Sequence, residues 1–271
     1  LAHKGRSWLG ALFKGSKHPG PDFLEAGDRI LDGLELGSRL TWDLAHADML
    51  GDEPFYGPTK RTPYVFVFCG TGTYSGLKKI VLDEATDGAV RWSGCALNTR
   101  KIVLDLTQDP MRPGTEKRIT IAPWKNLDAA LIPVEGKNHS TILRNPGVEL
   151  PELVMSALEV NSAADYSDWY SRALKRTREA LENADEWQQF VVRAIDERGD
   201  GIDDYNVQLF TRTGRGRESA VSPFDMRVHT YRADPSLRCF HVNLTKVAPG
   251  KLENLWIRVM ASSGSQLVGY Q

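Results

Sequence analysis

The chain has 271 residues, of which 41% are hydrophobic and 25% charged, a globular composition that excludes a disordered or collagen-like protein. Its 34 Lys and Arg nearly balance its 35 Asp and Glu, so the net charge of -1 gives no overall field to attract nucleic acid or an anionic membrane. We therefore predict no nucleic-acid partner, and any peripheral membrane contact has to be local.

Cysteine usage and hydropathy narrow the class further. Cys69, Cys95 and Cys239 are odd in number, widely spaced and without a CxxC motif, which predicts reduced, mostly buried thiols instead of a disulfide framework or a zinc site. The longest apolar run, at 64–69, is far shorter than the roughly 18 residues of a spanning helix. We expect a soluble chain with neither a transmembrane segment nor a signal peptide.

The first 50 residues predict a lid or helical segment. Residues 1–21 are basic and mix apolar side chains with Gly and Pro, which suits a surface connection docked on a neighbour or a mobile, lipid-facing lid. A helix is expected to begin at Asp22, with Glu25 completing a capping box. Helical character resumes at 40–50 before Gly and Pro residues end it.

The following segment predicts an α/β sheet. The continuous apolar run YVFVFC at 64–69 is typical of a strand buried on both faces of a parallel sheet. Apolar residues at helical spacing within 162–184, preceded by the capping residue Ser162, predict an amphipathic helix. Four further strands are expected at 89–97, 101–106, 119–122 and 129–134.

From Trp187 onward, hydrophobic residues alternate with polar ones. This pattern predicts short antiparallel strands, with a turn at RGDG 198–201. We therefore assign residues 1–186 to an α/β domain and residues 187–271 to an antiparallel β-sandwich accessory domain. The expected strands of this module lie near 190–194, 205–209, 228–231, 239–244 and 255–260.

Two loops carry candidate catalytic side chains. Asp87 lies in TDGAV, downstream of the 64–69 strand, and His139 lies in GKNHS, directly after the strand that ends at Val134. Open α/β sheets place their sites on loops at the carboxyl ends of the strands. A carboxylate on one loop and a histidine on the next are what a Ser-His-Asp triad requires, because the acid orients the imidazole that deprotonates the nucleophile.

This pairing of Asp-Gly-x-Val at 87–90 with Asn-His at 138–139 resembles the acid and histidine loops of bacterial α/β-hydrolase lipases. The text around it, from VFVFCGTGTYSG to KIVLDL, is similar to larger lipases and phospholipase-type effectors of type VI secretion. The resemblance covers roughly residues 30–145. It implies that residues 1–186 are the C-terminal portion of an α/β-hydrolase domain, with Asp87 as the triad acid, His139 as the general base and an ester, such as a lipid, as substrate.

The sequence departs from that family at the nucleophile. No G-x-S-x-G elbow occurs in the 271 residues, and neither Ser75 nor Ser93 has the elbow pattern. Because the acid and the histidine follow the serine in α/β-hydrolases, we expect the nucleophilic serine to lie upstream of Leu1. The chain alone is then expected to be inactive, and its partner is the upstream segment of the same protein or a complementary chain.

Other candidate sites are weaker. Asp83 and Glu84 could offer a second acid or a Ca²⁺ ligand, and the acidic residues at 196–204 could hold Ca²⁺ in a turn, but a solvated charged loop is the simpler interpretation of both. We therefore expect no cofactor, with Ca²⁺ as the alternative. Cys95 lies in an apolar run and is not expected to be a nucleophile. The remaining histidines lack metal-ligand spacing; they are His3, His18, His46, His229 and His241.

The leading hypothesis is a serine hydrolase of carboxylic esters, of the lipase or phospholipase type. The alternative is a catalytically incomplete module that binds a lipid, a glycan or a protein. The resemblance also implies a bacterial protein, located in the cytoplasm or exported as an effector, and an immunity or inhibitor protein as a partner.

Overall fold

A computed structural model describes eleven stretches of the chain, namely residues 37–53, 55–57, 61–72, 86–88, 90–105, 120–121, 125–180, 182–212, 218–221, 228–247 and 255–261. The expectations for residues 1–21 and for a helix at Asp22 lie outside them. The chain divides into two compact units, Leu44–Ala184 on one side and the segments up to Asp43 and from Asp185 on the other. One division lies close to the predicted boundary at 186. The assignment of the units as a hydrolase portion and an accessory domain stays a prediction.

The unit Leu44–Ala184 mixes helices with small sheets and is of the α/β type. Its described helices are α1 (Arg39–Asp48, which begins before the division), α2 (Trp92–Cys95), α3 (Thr141–Arg144), α4 (Glu149–Leu158) and α5 (Ala163–Ala180). Its described strands are β1 (Phe66–Gly70), β2 (Thr99–Lys101), β3 (Leu104–Asp105), β4 (Thr120–Ile121), β5 (Lys125–Leu127) and β6 (Ala130–Val134). Strands β2 and β5 pair antiparallel, as do β3 and β4.

Strands β1 and β6 form the parallel pair at the centre of this unit. They run in register from Phe66 opposite Ala130 to Gly70 opposite Val134. The prediction of a parallel arrangement for the apolar run is therefore confirmed. Since parallel strands end at the same edge of a sheet, the chain leaving β6 emerges next to the chain leaving β1.

Helix α5 covers this strand pair. Its residues Trp169 and Ala173 pack with Ala130 and Ile132 of β6 in one buried cluster. The predicted cap is confirmed, because the backbone N–H of Asp165 donates to Ser162 Oγ at 3.1 Å. The helix ends at Ala180, a few residues before the predicted limit.

Two local predictions fail. The strand expected at 89–97 is wrong, since residues 92–95 form the helical turn α2, closed by the backbone bond from Ala96 N to Trp92 O at 3.1 Å. Gly94 within the run allows this tight turn and weakens the preference for an extended strand. Helix α4 was not predicted because Pro151 interrupts the pattern; it lies in the first turn, where proline is tolerated.

The second unit consists mainly of antiparallel strands. Its described elements are β7 (Trp187–Arg193), β8 (Tyr205–Arg212), β9 (Glu218–Ala220), β10 (His229–Thr230), β11 (Leu237–Asn243), α6 (Leu244–Val247) and β12 (Leu255–Ala261). They form two three-stranded sheets, in the orders β10-β11-β7 and β12-β8-β9. The predicted alternation from Trp187 is confirmed as antiparallel pairing. The sandwich arrangement itself stays a prediction.

Buried side chains from both sheets share one hydrophobic cluster in this unit. Val207 and Leu209 of β8 pack in it with Phe240 and Val242 of β11. A smaller cluster joins Leu237 to Trp42 of α1, among others. None of the described helices has the length and apolar character needed to cross a bilayer.

Candidate functional site

Asp87 lies in a tight turn built by its own neighbours. Thr86 is buried, and its Oγ1 accepts a hydrogen bond from the backbone N–H of Gly88 at 3.1 Å. Gly88 has a φ of +96°, a conformation that favours glycine. The N–H of Val90 donates to Asp87 Oδ1 at 2.8 Å, and Asp87 N donates back to Val90 O at 3.1 Å. One carboxylate oxygen is therefore fixed within the turn, which orients the other.

His139 lies in the loop between β6 and α3. Gly136 turns the chain with a φ of +66° directly after the strand. The side chain of Asn138 then fixes the following backbone, since its Oδ1 accepts from the N–H groups of Ser140 at 3.0 Å and Thr141 at 3.1 Å. These bonds satisfy amides at the start of α3 and hold the residue between them, His139, in a defined orientation.

The structure brings Asp87 and His139 into direct contact. Asp87 Oδ2 lies 2.8 Å from His139 Nδ1, and the backbone N–H of His139 donates to the carbonyl oxygen of Asp87 at 2.7 Å. The two loops are thus joined by both a side-chain and a backbone hydrogen bond. The Asp87 side chain is 15% exposed and that of His139 is 45% exposed. Within the described part of the chain, Nε2 of His139 has no hydrogen-bond partner.

This contact determines the tautomer of the imidazole. An ionised carboxylate only accepts hydrogen bonds, so Nδ1 carries the proton and Nε2 of the neutral ring has the lone pair. The hydrogen bond to Asp87 and the charge of its carboxylate raise the pKa of His139, while partial burial acts in the opposite direction. Chemically, the pair can accept a proton at Nε2 and stabilise the imidazolium that results.

Residues that sequence reasoning missed hold the two loops together. Trp92 Nε1 donates to the carbonyl oxygen of Gly70 at 3.0 Å and so connects the chain after Asp87 to the end of β1. Gly72 N donates to Lys137 O at 2.6 Å, next to His139. A Cβ atom on Gly70 would overlap that same Lys137 carbonyl, so glycine is required there. The only sequence signal for these roles is glycine at the end of a buried strand.

The weaker candidates are not gathered into a site. Asp83, Glu84 and Ser75 lie outside the described residues, and Ser93 lies in α2. The acidic turn at 196–204 uses Asp196 Oδ1 to accept the backbone N–H groups of Arg198 and Asp200, each at 2.9 Å. Among the described residues, no group of three or more His, Cys, Asp or Glu side chains could hold a metal ion.

No protein-family model matches this sequence, and no curated protein does either. Among solved structures, the chain is similar to phospholipase PlaB from Legionella pneumophila, with a TM-score of 0.67 and 18% identity over 87% of this chain and 55% of that chain. A structure of the same phospholipase in complex with thio-NAD matches with the same TM-score and identity, over 87% of this chain and 56% of that one. The chain therefore spans little more than half the length of these phospholipase structures, and over that span it shares their fold.

Proposed function

We propose that this chain is the C-terminal part of a serine hydrolase that cleaves carboxylic esters of lipids, as a lipase or phospholipase does. The observation that carries the proposal is the 2.8 Å contact between Asp87 Oδ2 and His139 Nδ1, on two loops at one edge of a parallel strand pair. The acid-base half of a triad needs this geometry. The likeness in fold to a phospholipase supports the class of substrate.

In this mechanism His139 moves the proton and Asp87 remains ionised. Nε2 of His139 takes the proton of the attacking serine hydroxyl, and the imidazolium is stabilised by the adjacent carboxylate. The tetrahedral intermediate then collapses as Nε2 returns the proton to the leaving alcohol. In the second half-reaction, Nε2 deprotonates a water molecule that attacks the acyl-enzyme. The ester is thereby hydrolysed to an acid and an alcohol, with both residues restored.

The serine belongs to sequence outside these 271 residues in this proposal. The family order of serine, then acid, then histidine places it before Leu1. The exposed side of His139 is where the serine has to approach, because Nδ1 is already engaged by Asp87. The chain by itself then lacks a nucleophile and is inactive.

The test uses the full-length natural protein that contains these residues. We expect a fluorophosphonate probe to label one serine, which peptide mapping places upstream of Leu1, and hydrolysis of a phospholipid or a p-nitrophenyl ester to depend on that serine. His139→Ala and Asp87→Asn should each lower kcat/KM by about 10⁴-fold, because the serine then lacks a correctly oriented base.

Two matched variants separate catalysis from folding. His46→Ala removes a histidine of α1, and Asp168→Asn changes an exposed carboxylate of α5, so both should keep the activity of the natural protein. Unchanged turnover in His139→Ala would refute the assignment. A full-length protein in which no serine reacts with the probe would instead favour the alternative, a module that binds a lipid, a glycan or a protein.

A further inference from the structure

Two of the three cysteines lie against each other beside the Asp87 turn. Cys69 lies near the end of β1 and is 6% exposed, while Cys95 is the last residue of α2 and is only partly buried. Both are free thiols, and their side chains are hydrogen-bonded to each other. Cys239, the third cysteine, is buried in the other unit.

The fold holds this cysteine pair in place through α2. Trp92 at the start of α2 donates its indole N–H to Gly70, the residue that follows Cys69, at 3.0 Å. At the other end of the same turn, Cys95 Sγ lies 3.3 Å from the carbonyl oxygen of Trp92. The short helix therefore has one fixed point on β1, and its geometry directs Cys95 towards Cys69.

The two thiols are chemically different. Accepting a hydrogen bond from Cys69 lowers the pKa of Cys95, although burial partly opposes this. The same bond, together with burial, raises the pKa of Cys69. Cys95 is therefore the member that forms a thiolate, and it is also the more accessible one. A thiolate that an oxidant can reach, next to a second thiol, is typical of a redox-active pair.

We propose that Cys69 and Cys95 are a reversible thiol–disulfide pair, with Cys95 as the site oxidised by a peroxide and Cys69 as the resolving thiol. The Cys95 thiolate attacks one oxygen of hydrogen peroxide, which breaks the O–O bond and gives a sulfenic acid and hydroxide. The Cys69 sulfur then attacks the Cys95 sulfur, and the S–O bond breaks with release of water. Two thiols are oxidised and one peroxide is reduced to two water molecules.

The bond would act on the Asp87 turn. Asp87 interacts electrostatically with both sulfurs, and α2 follows its turn directly in the chain. Oxidation replaces an ionisable pair near this carboxylate with a neutral disulfide and ties α2 covalently to β1. The inference concerns these two thiols and does not depend on the proposed hydrolase activity.

The experiment exposes the purified natural protein to a small excess of hydrogen peroxide, blocks the remaining thiols with N-ethylmaleimide and maps the peptides without reduction. We expect a peptide pair linked through Cys69 and Cys95, its loss after dithiothreitol, and Cys239 alkylated in both samples. Oxidation should also raise the Tm by about 5 °C or more, since the disulfide restrains the unfolded chain.

Single variants assign the two roles. Cys69→Ser should leave Cys95 as a sulfenic acid that dimedone traps, and Cys239→Ser should form the same linked peptide as the natural protein. The proposal is overturned if the natural protein keeps both Cys69 and Cys95 alkylatable at the peroxide dose that oxidises exposed thiols. A crosslink of either one to Cys239 or to a second chain would overturn it as well.

Discussion

At the scale of single residues, Asp87 controls how readily His139 binds a proton. The hydrogen bond and the nearby charge raise the pKa of the imidazole above its ordinary value of 6.5. The folded protein then binds this proton more tightly than the unfolded chain does. The stabilisation from the pair is therefore complete below pH 6.5 and is lost as the pH rises through the raised pKa. Above that pKa the ring is neutral and Nε2 can act as a base.

Asp87→Asn should lower the pKa of His139. An amide oxygen can still accept the Nδ1 proton, but it carries no charge to favour the imidazolium. The ring-proton chemical shifts of His139, followed by NMR against pH, measure the effect directly. Asp168→Asn, which changes a carboxylate of α5 away from this contact, is the control and should leave the titration of His139 as in the natural protein. An unaltered midpoint in Asp87→Asn would show that the contact is not formed in solution.

At the scale of elements, the close approach of β1 to the His139 loop depends on a missing side chain. Gly70→Ala places a methyl group against the Lys137 carbonyl, a rigid backbone atom, so the loop has to move. We expect the free energy of unfolding to fall by about 1–3 kcal/mol, as for other overpacked sites. Gly57→Ala is the matched control, because its Cβ meets only Thr62 Oγ1 at an ordinary 3.5 Å. Urea denaturation of both variants measures the difference, and equal stability would contradict the close contact.

The same elements explain what the sequence could predict. Local signals worked where the structure is local: the Ser162 cap forms, and the apolar run before Gly70 is a parallel strand. They failed where a distant contact decides the outcome. Residues 92–95 coil into a helical turn that carries the Trp92 indole to the Gly70 carbonyl, and no periodicity within 89–97 encodes that bond.

The candidate site shows the same division. Asp87 and His139 could be singled out because each follows a turn signal in a strand-and-loop pattern, and chain order relates the two loops. The Thr86 and Asn138 bonds that orient them involve common turn chemistry, and only the coordinates show that it serves these two residues. The cysteine contact was not predictable at all, because the wide spacing of Cys69 and Cys95 suggested isolated thiols.

At the scale of the whole molecule, each unit has its own core. Trp169 and Ala130 belong to the cluster of the unit Leu44–Ala184, and Phe240 and Val207 belong to that of the other unit. The bonds between Asp87 and His139 lie entirely inside the first of these. The geometry of the candidate site is therefore built by one core, and damage to the other core need not reach it.

Phe240→Ala tests this separation. The side chain is 1% exposed, so its removal should destabilise the second unit by about 3–5 kcal/mol through lost burial and a residual cavity. Hydrogen exchange followed by mass spectrometry should then show faster exchange in peptides from β7, β8 and β11, with β1, β6 and the His139 loop unchanged. Phe55→Ala, which removes a phenylalanine that is 58% exposed, should alter neither set. If both units exchange faster together in Phe240→Ala, the chain unfolds as one cooperative body, and the site depends on the second core as well as its own.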